Sequence, residues 1–212
     1  MRWAFAAMVI AGLGIAGVAA FDLTAGESER AQNQQAAAET PLVGQADQSS
    51  TAPSASTPED LEVGQVFAKL RAPRLGANYV RNIAEGTSVD RVLNTVGIGH
   101  YVKTALPGEP GNFAIAAHRA GNGGPFRNID KFTEGDLVTI ETATHLYTYK
   151  YLATKIVEPG DIDVIAPKPK DVADLMSKAP EARLLTLTTC TPIYINTQRL
   201  VVWFALESSQ AR

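Results

Sequence analysis

The chain has little cysteine, few aromatic residues and no excess of charge of either sign. Its one cysteine, Cys190, excludes an intramolecular disulfide. Lys and Arg total 19 and Asp and Glu total 22, which gives a net charge of −3 without a basic patch. Aromatic residues make up only 7% of the chain and do not alternate with basic ones. We therefore expect no nucleic-acid partner, because proteins that bind nucleic acids carry basic, aromatic-rich surfaces.

Histidine is equally scarce, and the three histidines are His100, His118 and His145. Their spacings match no zinc-ligand pattern. Three carboxylates at Glu158, Asp161 and Asp163 are an alternative calcium loop, but scattered carboxylates are typical of a solvated loop. The sequence therefore predicts no metal and no cofactor. Neither His100 nor His145 has a chemical partner in the sequence, so we assign them no role.

One long apolar run lies at the N-terminus. Residues 3–21 contain no charged side chain, and at 1.5 Å per residue such a helix approaches the ~30 Å of a bilayer core. Arg2 precedes the run and acidic residues follow it, which favours a cytoplasmic N-terminus. We predict a cytoplasmic stub (residues 1–2), a single-pass plasma-membrane anchor (residues 3–21) and an extracellular remainder. A signal peptide cleaved near residues 18–20 is the alternative.

The next segment, residues 22–62, is rich in Ala, Gln, Ser, Thr, Glu and Pro and poor in branched apolar residues. Because such a composition buries little apolar surface, we predict a flexible extracellular linker. Its root-mean-square reach would be on the order of 35 Å. The folded domain then comprises residues 63–212.

Within residues 63–212 the apolar residues alternate with polar ones in short runs. The pattern predicts strands at residues 66–70, 79–83, 113–117, 137–142, 146–157, 184–189 and 200–206. A short helix is expected over residues 88–96, with Ser88 as its N-cap, and another near residues 171–176. Seven or eight short strands with one or two short helices indicate an all-β fold, a closed or nearly closed barrel.

Three reactive side chains lie at the ends of predicted strands. Cys190 ends the run Thr186-Leu187-Thr188-Thr189-Cys190, Arg199 begins the next strand, and His118 follows an earlier one. If the last two strands form a hairpin, Cys190 and Arg199 face each other across it. A thiolate nucleophile, an imidazole acid or base and a guanidinium donor are the parts of a cysteine acyl-transfer site. A buried structural cysteine is the competing interpretation.

These motifs resemble those of the sortases, the membrane-anchored transpeptidases of Gram-positive bacteria. Residues 186–190 followed by Arg199 resemble the TLxTC…R motif of that family. Ala117-His118, Pro125-Phe126 and residues 131–136 resemble its histidine and the segment after it. The resemblance covers residues 63–206 and implies a sortase-like β-barrel.

The resemblance also implies a mechanism. Cys190 attacks the carbonyl between Thr and Gly in a C-terminal sorting signal of LPxTG or LAxTG type. His118 is the general acid and base, and Arg199 holds the substrate and stabilises the oxyanion. The partners are secreted proteins bearing that signal and an amine, from a peptidoglycan precursor or a pilin lysine. The substrate groove is expected to be lined by Ala116, Thr188 and Thr189.

Two absences bear on the subgroup. Pilus-building sortases usually carry a C-terminal membrane helix and an Asp-Pro-aromatic lid, and this sequence has neither feature. We therefore expect similarity to the housekeeping-type class E group of high-GC Gram-positive bacteria, with a preference for LAxTG-like signals.

Two other functions stay open at the level of sequence. One is another extracellular cysteine acyltransferase or peptidase, although papain-like enzymes place the cysteine before the histidine. The other is a non-catalytic, surface-anchored binding module with a structural cysteine. Thiol reactivity separates that module from an enzyme, because a buried cysteine resists a substrate-mimetic vinyl sulfone.

Overall fold

The computed structural model describes residues 25–42, 61–175 and 182–212. The predicted stub, the predicted anchor over residues 3–21 and linker residues 43–60 lie outside this part, as does residue 176 of the helix expected at 171–176. Within the three described ranges, no helix combines the length and apolar character needed to cross a membrane.

Eight strands form a closed barrel, which confirms the all-β prediction. The strands are β1 (Val66–Arg71), β2 (Val80–Glu85), β3 (Ile98–His100), β4 (Gly111–Ala117), β5 (Leu137–Thr142), β6 (His145–Val157), β7 (Arg183–Thr191) and β8 (Gln198–Ala211). Their order around the barrel is β1-β2-β3-β4-β7-β8-β6-β5, and β5 closes onto β1. Neighbours are antiparallel except β2 with β3 and β4 with β7, which are parallel.

Alternation along each strand divides the barrel wall into an inner and an outer face. The inner face of β4, β7 and β8 carries apolar residues that are almost fully buried: Phe113, Ile115, Leu185, Leu187, Leu200, Val202 and Phe204. Each such side chain stabilises the fold by about 1.5–3 kcal/mol relative to an exposed one. The odd-numbered residues of β4 and β7 therefore point into the barrel, and the even-numbered ones point outward.

A second, smaller cluster covers part of the outer face. Trp203 is fully buried there, and its indole Nε1 donates to the carbonyl of Val164 at 3.1 Å. Val164 lies in the 3₁₀ turn Ile162–Ile165 of the β6–β7 connection, which also contains α2 (Lys170–Ala173). This connection thus packs against one end of the β7–β8 outer face.

The helix expected over residues 88–96 is shorter than predicted. It is a π-helix, Val89–Leu93, and the hydroxyl of Ser88 accepts from the Arg91 backbone N–H at 3.4 Å, so the predicted N-cap is confirmed. Val92 is its buried anchor, and Asn94 ends it. Strand β3 begins at Ile98, after a turn; with three residues, it was not predicted.

The linker prediction is wrong for residues 25–39, which form a helix, α1. Ala, Gln and Glu have high helix propensity, and this segment needs few branched apolar residues to dock because it uses polar contacts. Gln34 is buried on the docked face, and its amide donates to the carbonyl of Asn122 at 3.2 Å. The side-chain oxygen of Gln35 accepts from the guanidinium of Arg81, and the carbonyl of Thr40 accepts from Lys69.

Candidate active site

Cys190 and Arg199 lie directly opposite each other on β7 and β8. Residues paired in this way in antiparallel strands project from the same face, with Cα atoms roughly 4.5–5.5 Å apart. Both belong to the outward-facing set, and both side chains are half-buried. The expected pairing across the hairpin is therefore confirmed.

His118 directly follows the strand that pairs with the cysteine strand. Strand β4 runs parallel to β7, and their last registered pair is Ala116 with Thr188. His118 follows β4 immediately, and two further steps along the register bring it level with Cys190. Ala116, Thr188 and Cys190 thus share the outer face, and continuing the alternation one residue beyond β4 assigns His118 to the same face.

Arg119 ties the two segments together just beyond these residues. Its guanidinium is buried and donates to the hydroxyl of Thr191, the residue after Cys190. It also lies 3.3 Å from a carboxylate oxygen of Asp130. A charge-assisted contact between the residue after the histidine and the residue after the cysteine holds the two strand ends at one level.

The His118 ring is held by an amide. Its Nε2 lies 2.9 Å from Oδ1 of Asn94, and the amide nitrogen of Asn122 donates to the same oxygen at 2.8 Å. Burial lowers the pKa of the His118 imidazole below its ordinary value, and the carboxylate of Glu27 opposes that shift. The ring is therefore oriented by neighbours that lie outside the cysteine strand.

Helix α1 contacts the loop that follows His118. The backbone N–H groups of Asn122 and Gly123 donate to the two carboxylate oxygens of Glu27, at 3.2 and 2.9 Å. Both residues have positive φ, 48° and 79°, so their N–H groups converge on one point. Such a backbone nest binds anions, and here the anion belongs to the chain's own helix.

Arg199 is held by the loop that joins β7 to β8. Its Nη1 donates to the carbonyls of Asn196 at 3.2 Å and Gln198 at 2.9 Å. The same loop exposes Tyr194 and Ile195 to solvent, at 74% and 66%. One edge of the guanidinium is thus fixed by the protein.

The other residues expected to line a groove divide between the two faces. Thr188 shares the outer face with Cys190, and its hydroxyl lies 2.9 Å from that of Tyr101. Thr189 points inward, is 3% exposed and donates to the carbonyl of Ala117 at 2.7 Å. The expectation that both threonines line one groove therefore fails, because adjacent strand residues alternate. Ala116 stays on the groove side, although it is buried.

The remaining histidines have local partners. His100 is fully buried, with Nδ1 2.7 Å from a carboxylate oxygen of Glu85 and Nε2 2.8 Å from the hydroxyl of Thr104. His145 stacks on Tyr147 with ring centroids 5.5 Å apart. These contacts account for both residues without a functional role.

Two of the three carboxylates of the alternative calcium loop accept hydrogen bonds within the protein. Asp161 accepts from the backbone N–H of Asp163, and Asp163 accepts from that of Lys170 at 2.8 Å. No group of three or more His, Cys, Asp or Glu side chains arranged for a metal is found in the described ranges.

Four residues near this site were not identified from the sequence: Tyr101, Asn94, Arg119 and Asn122. Arg119 could have been suspected from the sequence, because it directly follows the candidate histidine. The two asparagines had none, because they lie 24 residues before and 4 residues after His118 and meet it only through the fold.

In chemical terms, Cys190 offers a nucleophile, His118 a proton carrier and Arg199 a fixed cation at the outer face of β7 and β8. A thiol beside an imidazole supports covalent acyl transfer. A guanidinium opposite the thiol offers N–H donors to a developing oxyanion.

Comparison with known proteins agrees with this arrangement. A family model for the sortase domain matches residues 70–207. Sortase SrtE1 of Streptomyces coelicolor is 38% identical over 162 residues, which are 74% of this chain and 44% of that protein. Sortase SrtE2 of the same organism is 39% identical over 134 residues, 60% of this chain and 51% of that protein. The chain thus spans about half the length of these curated relatives.

Solved structures show the same fold. Sortase E of Streptomyces avermitilis superposes with a TM-score of 0.62 at 38% identity, covering 71% of this chain and 93% of that one. Sortase E1 of S. coelicolor, solved with a tripeptide in its active site, gives a TM-score of 0.63 at 37% identity, covering 70% and 92%. Since the domain match spans more than half of the sequence, the chain belongs to the sortase family.

Proposed function

We propose that the protein is a cysteine transpeptidase that cleaves a C-terminal sorting signal and joins the released carboxyl group to an amine. The observation that supports the proposal is the register of β7 with β8, which pairs Cys190 with Arg199, and that of β4 with β7, which brings His118 level with Cys190 when it is continued two residues past its last pair. Membership of the sortase family supports it.

In the first step, His118 takes the proton of the Cys190 thiol, and the resulting thiolate attacks the carbonyl carbon of the threonine in the signal. The carbonyl oxygen becomes an oxyanion, to which the Arg199 guanidinium donates. When the C–N bond to glycine breaks, His118 gives its proton to the leaving amine. The products of this step are a thioester on Cys190 and a released peptide that begins with glycine.

In the second step, a primary amine attacks the thioester carbonyl. His118 takes the proton that the amine loses, the C–S bond breaks, and Cys190 leaves as thiolate. The acceptor is an amino group of a peptidoglycan precursor or a pilin lysine. Water in place of the amine would give hydrolysis, which is the alternative activity of an extracellular cysteine peptidase.

The substrate is proposed to be a peptide of LPxTG or LAxTG type, bound along the outer face. Similarity to class E sortases favours the LAxTG form. The tripeptide in the active site of the S. coelicolor enzyme supports peptide binding at the equivalent face. In this chain Ala116 and Thr188 precede the histidine and the cysteine by two residues on that face.

We also propose that residues 3–21 anchor the enzyme in the plasma membrane with the catalytic domain outside the cell. The charge asymmetry around this apolar run supports the orientation. Because residues 25–39 dock on the barrel and only residues 22–24 separate them from the proposed anchor in the sequence, the barrel would lie close to the membrane.

The test uses the purified full-length chain with LAxTG and LPxTG peptides and a free amine such as triglycine. We expect mass spectrometry to show an acyl adduct on Cys190 and a ligated product, with LAxTG preferred. Cys190→Ala is the control and should give neither species. Hydrolysis without ligation would support the peptidase, and no adduct on a folded protein with a vinyl-sulfone-reactive thiol would overturn the proposed substrate class.

A further inference from the structure

Asn94 occupies a central position in a chain of polar contacts that ends at His118. Its Oδ1 lies 2.9 Å from His118 Nε2 and accepts from Asn122 Nδ2 at 2.8 Å. Asn122 Oδ1 in turn accepts from the guanidinium of Arg30 on α1 at 3.3 Å. No other hydrogen bond to the His118 ring is found among residues 25–42, 61–175 and 182–212.

The direction of each bond follows from the chemistry at the Arg30 end. A guanidinium only donates, so the amide oxygen of Asn122 faces Arg30 and its NH₂ group faces Asn94. The atom of Asn94 that receives that NH₂ group is then its oxygen, which only accepts. His118 Nε2 must therefore be the donor, in the neutral as well as the charged ring.

We propose that Asn94 is a positioning residue that keeps the proton on Nε2 of His118 and leaves Nδ1 to exchange protons at Cys190. This inference rests on the proposed transpeptidase function. With Nε2–H committed to Asn94, Nδ1 is the nitrogen that is protonated in the imidazolium and deprotonated in the neutral ring. Proton transfer in both half-reactions then uses one nitrogen and needs no ring rotation.

The local fold explains why the position is rigid. Asn94 directly follows the π-helix Val89–Leu93, and its backbone N–H donates to the carbonyl of Val89 at 2.8 Å. Val92, in the same turn, is fully buried. The turn leads into β3, which pairs with β4, the strand that His118 directly follows. Asn94 and His118 therefore adjoin two strands that are paired with each other.

Other groups around His118 also influence its protonation. Glu27 acts on its charge, Arg30 reaches it through Asn122 and Asn94, and Arg119 directly follows it. Cys190 and Arg199 lie on the nearby strands β7 and β8. All of them are unchanged in variants of Asn94. A change in pH dependence on replacing Asn94 alone therefore reports on the Asn94–His118 bond.

The first test measures the tautomer directly. In the full-length Cys190→Ala protein, ¹⁵N-edited NMR of the histidine side chains should show neutral His118 protonated at Nε2. Replacing Asn94 with Ala in the same background should give a mixture of the two tautomers. A neutral ring protonated at Nδ1 with Asn94 present would overturn the proposal. Because this readout needs no turnover, it stands apart from the failure of the transpeptidase function.

The second test is kinetic and compares Asn94→Ala, Asn94→Asp and the control Thr95→Val. Thr95 lies in the same turn, and its hydroxyl bonds to Arg91 and Val92 carbonyls but not to His118. We expect Asn94→Ala to lower kcat about tenfold, the value of one ordinary hydrogen bond, with KM little changed. Asn94→Asp keeps an acceptor and should recover part of that loss, while Thr95→Val should resemble the parent.

The pH profile gives a result that a structural role would not produce. The active form is the singly protonated Cys190–His118 pair, and the acid limb of kcat/KM marks the uptake of a second proton. A carboxylate at position 94 stabilises the imidazolium and should move this limb to higher pH, whereas Asn94→Ala should move it to lower pH. An unshifted limb in both variants, or equal losses in all three, would contradict the proposal.

Discussion

Arg199 is the residue of the site that a similar side chain is least able to replace. Its Nη1 is committed to the carbonyls of Asn196 and Gln198, so the rest of the planar group is oriented by a fixed edge. Lysine carries the same charge as a single mobile point with three donors. Arginine and lysine therefore differ in the geometry of their donors. This difference matters here because the oxyanion is stabilised by a donor that is already in position.

We therefore predict that Arg199→Lys lowers kcat/KM about 100-fold, comparable to the loss of one oxyanion donor. Initial rates of ligation with an LAxTG peptide would measure this loss. Arg212→Lys is the matched control, since Arg212 follows β8 at its far end and pairs with Glu141 at 2.9 Å. Near-parental rates for Arg199→Lys would mean that Arg199 serves only to shape the β7–β8 loop.

Single residues of the site differ in how far sequence could identify them. Cys190 and Arg199 were predictable because a hairpin converts their separation along the chain into direct opposition. Thr189 was expected to line the groove beside Cys190, but adjacent strand residues alternate, and its side chain is buried on the opposite face. Asn94 was not predictable, since its contact with His118 depends on β3 lying beside β4.

At the scale of elements, α1 shows that a segment without an apolar stripe can still dock. Its buried positions, Gln34 and Ala38, are four residues apart and lie on one face of the helix. Gly123, in the loop after His118, allows α1 to come close to the barrel, because a Cβ there would lie 2.8 Å from the Gln34 side-chain oxygen. The contact is specified by hydrogen bonds and close backbone approach rather than by apolar area.

This docking gives a prediction about Glu27. Its negative charge favours the imidazolium of His118, so Glu27→Gln should lower the pKa of His118 further and move the acid limb of kcat/KM to lower pH. The amides of Asn122 and Gly123 should exchange with solvent about tenfold faster, because a charge-assisted bond becomes a neutral one. Hydrogen exchange and a pH–rate profile would measure the two effects.

Glu29→Gln is the matched control for that prediction. Glu29 is exposed on the same helix and is two residues from Glu27, so its replacement removes an equal charge from α1. An equal shift of the acid limb in both variants would show that the net charge of α1, rather than the contact at Asn122 and Gly123, acts on His118.

The elements themselves followed from sequence where the apolar pattern was long enough. Every strand except β3 contains at least six residues, so alternation or an apolar run was visible. Strand β3 has three residues, one of them Gly99, and no periodicity can be read from it. Helix α1 was not predicted because helices and disordered linkers can have the same composition. Only its contacts with the barrel show that this segment is a helix.

At the scale of the whole molecule, the barrel wall separates stability from chemistry. The inner face of β7 packs Leu185 and Leu187 into the main core, whereas the outer face carries Cys190. Because the two sets alternate along one strand, the core holds the strand still without contributing a reactive group. A rigid strand is what places the thiol, imidazole and guanidinium at fixed separations.

This separation predicts opposite results for two substitutions three residues apart on β7. Leu187→Ala removes fully buried apolar volume from the core and should reduce the free energy of unfolding by about 2–5 kcal/mol. Its folded fraction should still form the Cys190 adduct at a rate close to that of the parent. Cys190→Ala changes a half-buried outer residue and should alter stability by no more than about 1 kcal/mol while abolishing the adduct.

Urea unfolding followed by circular dichroism, with adduct formation measured on the same samples, would check both. A large loss of stability in Cys190→Ala would show that the thiol also supports the packing of β7, and the two faces would then not be independent.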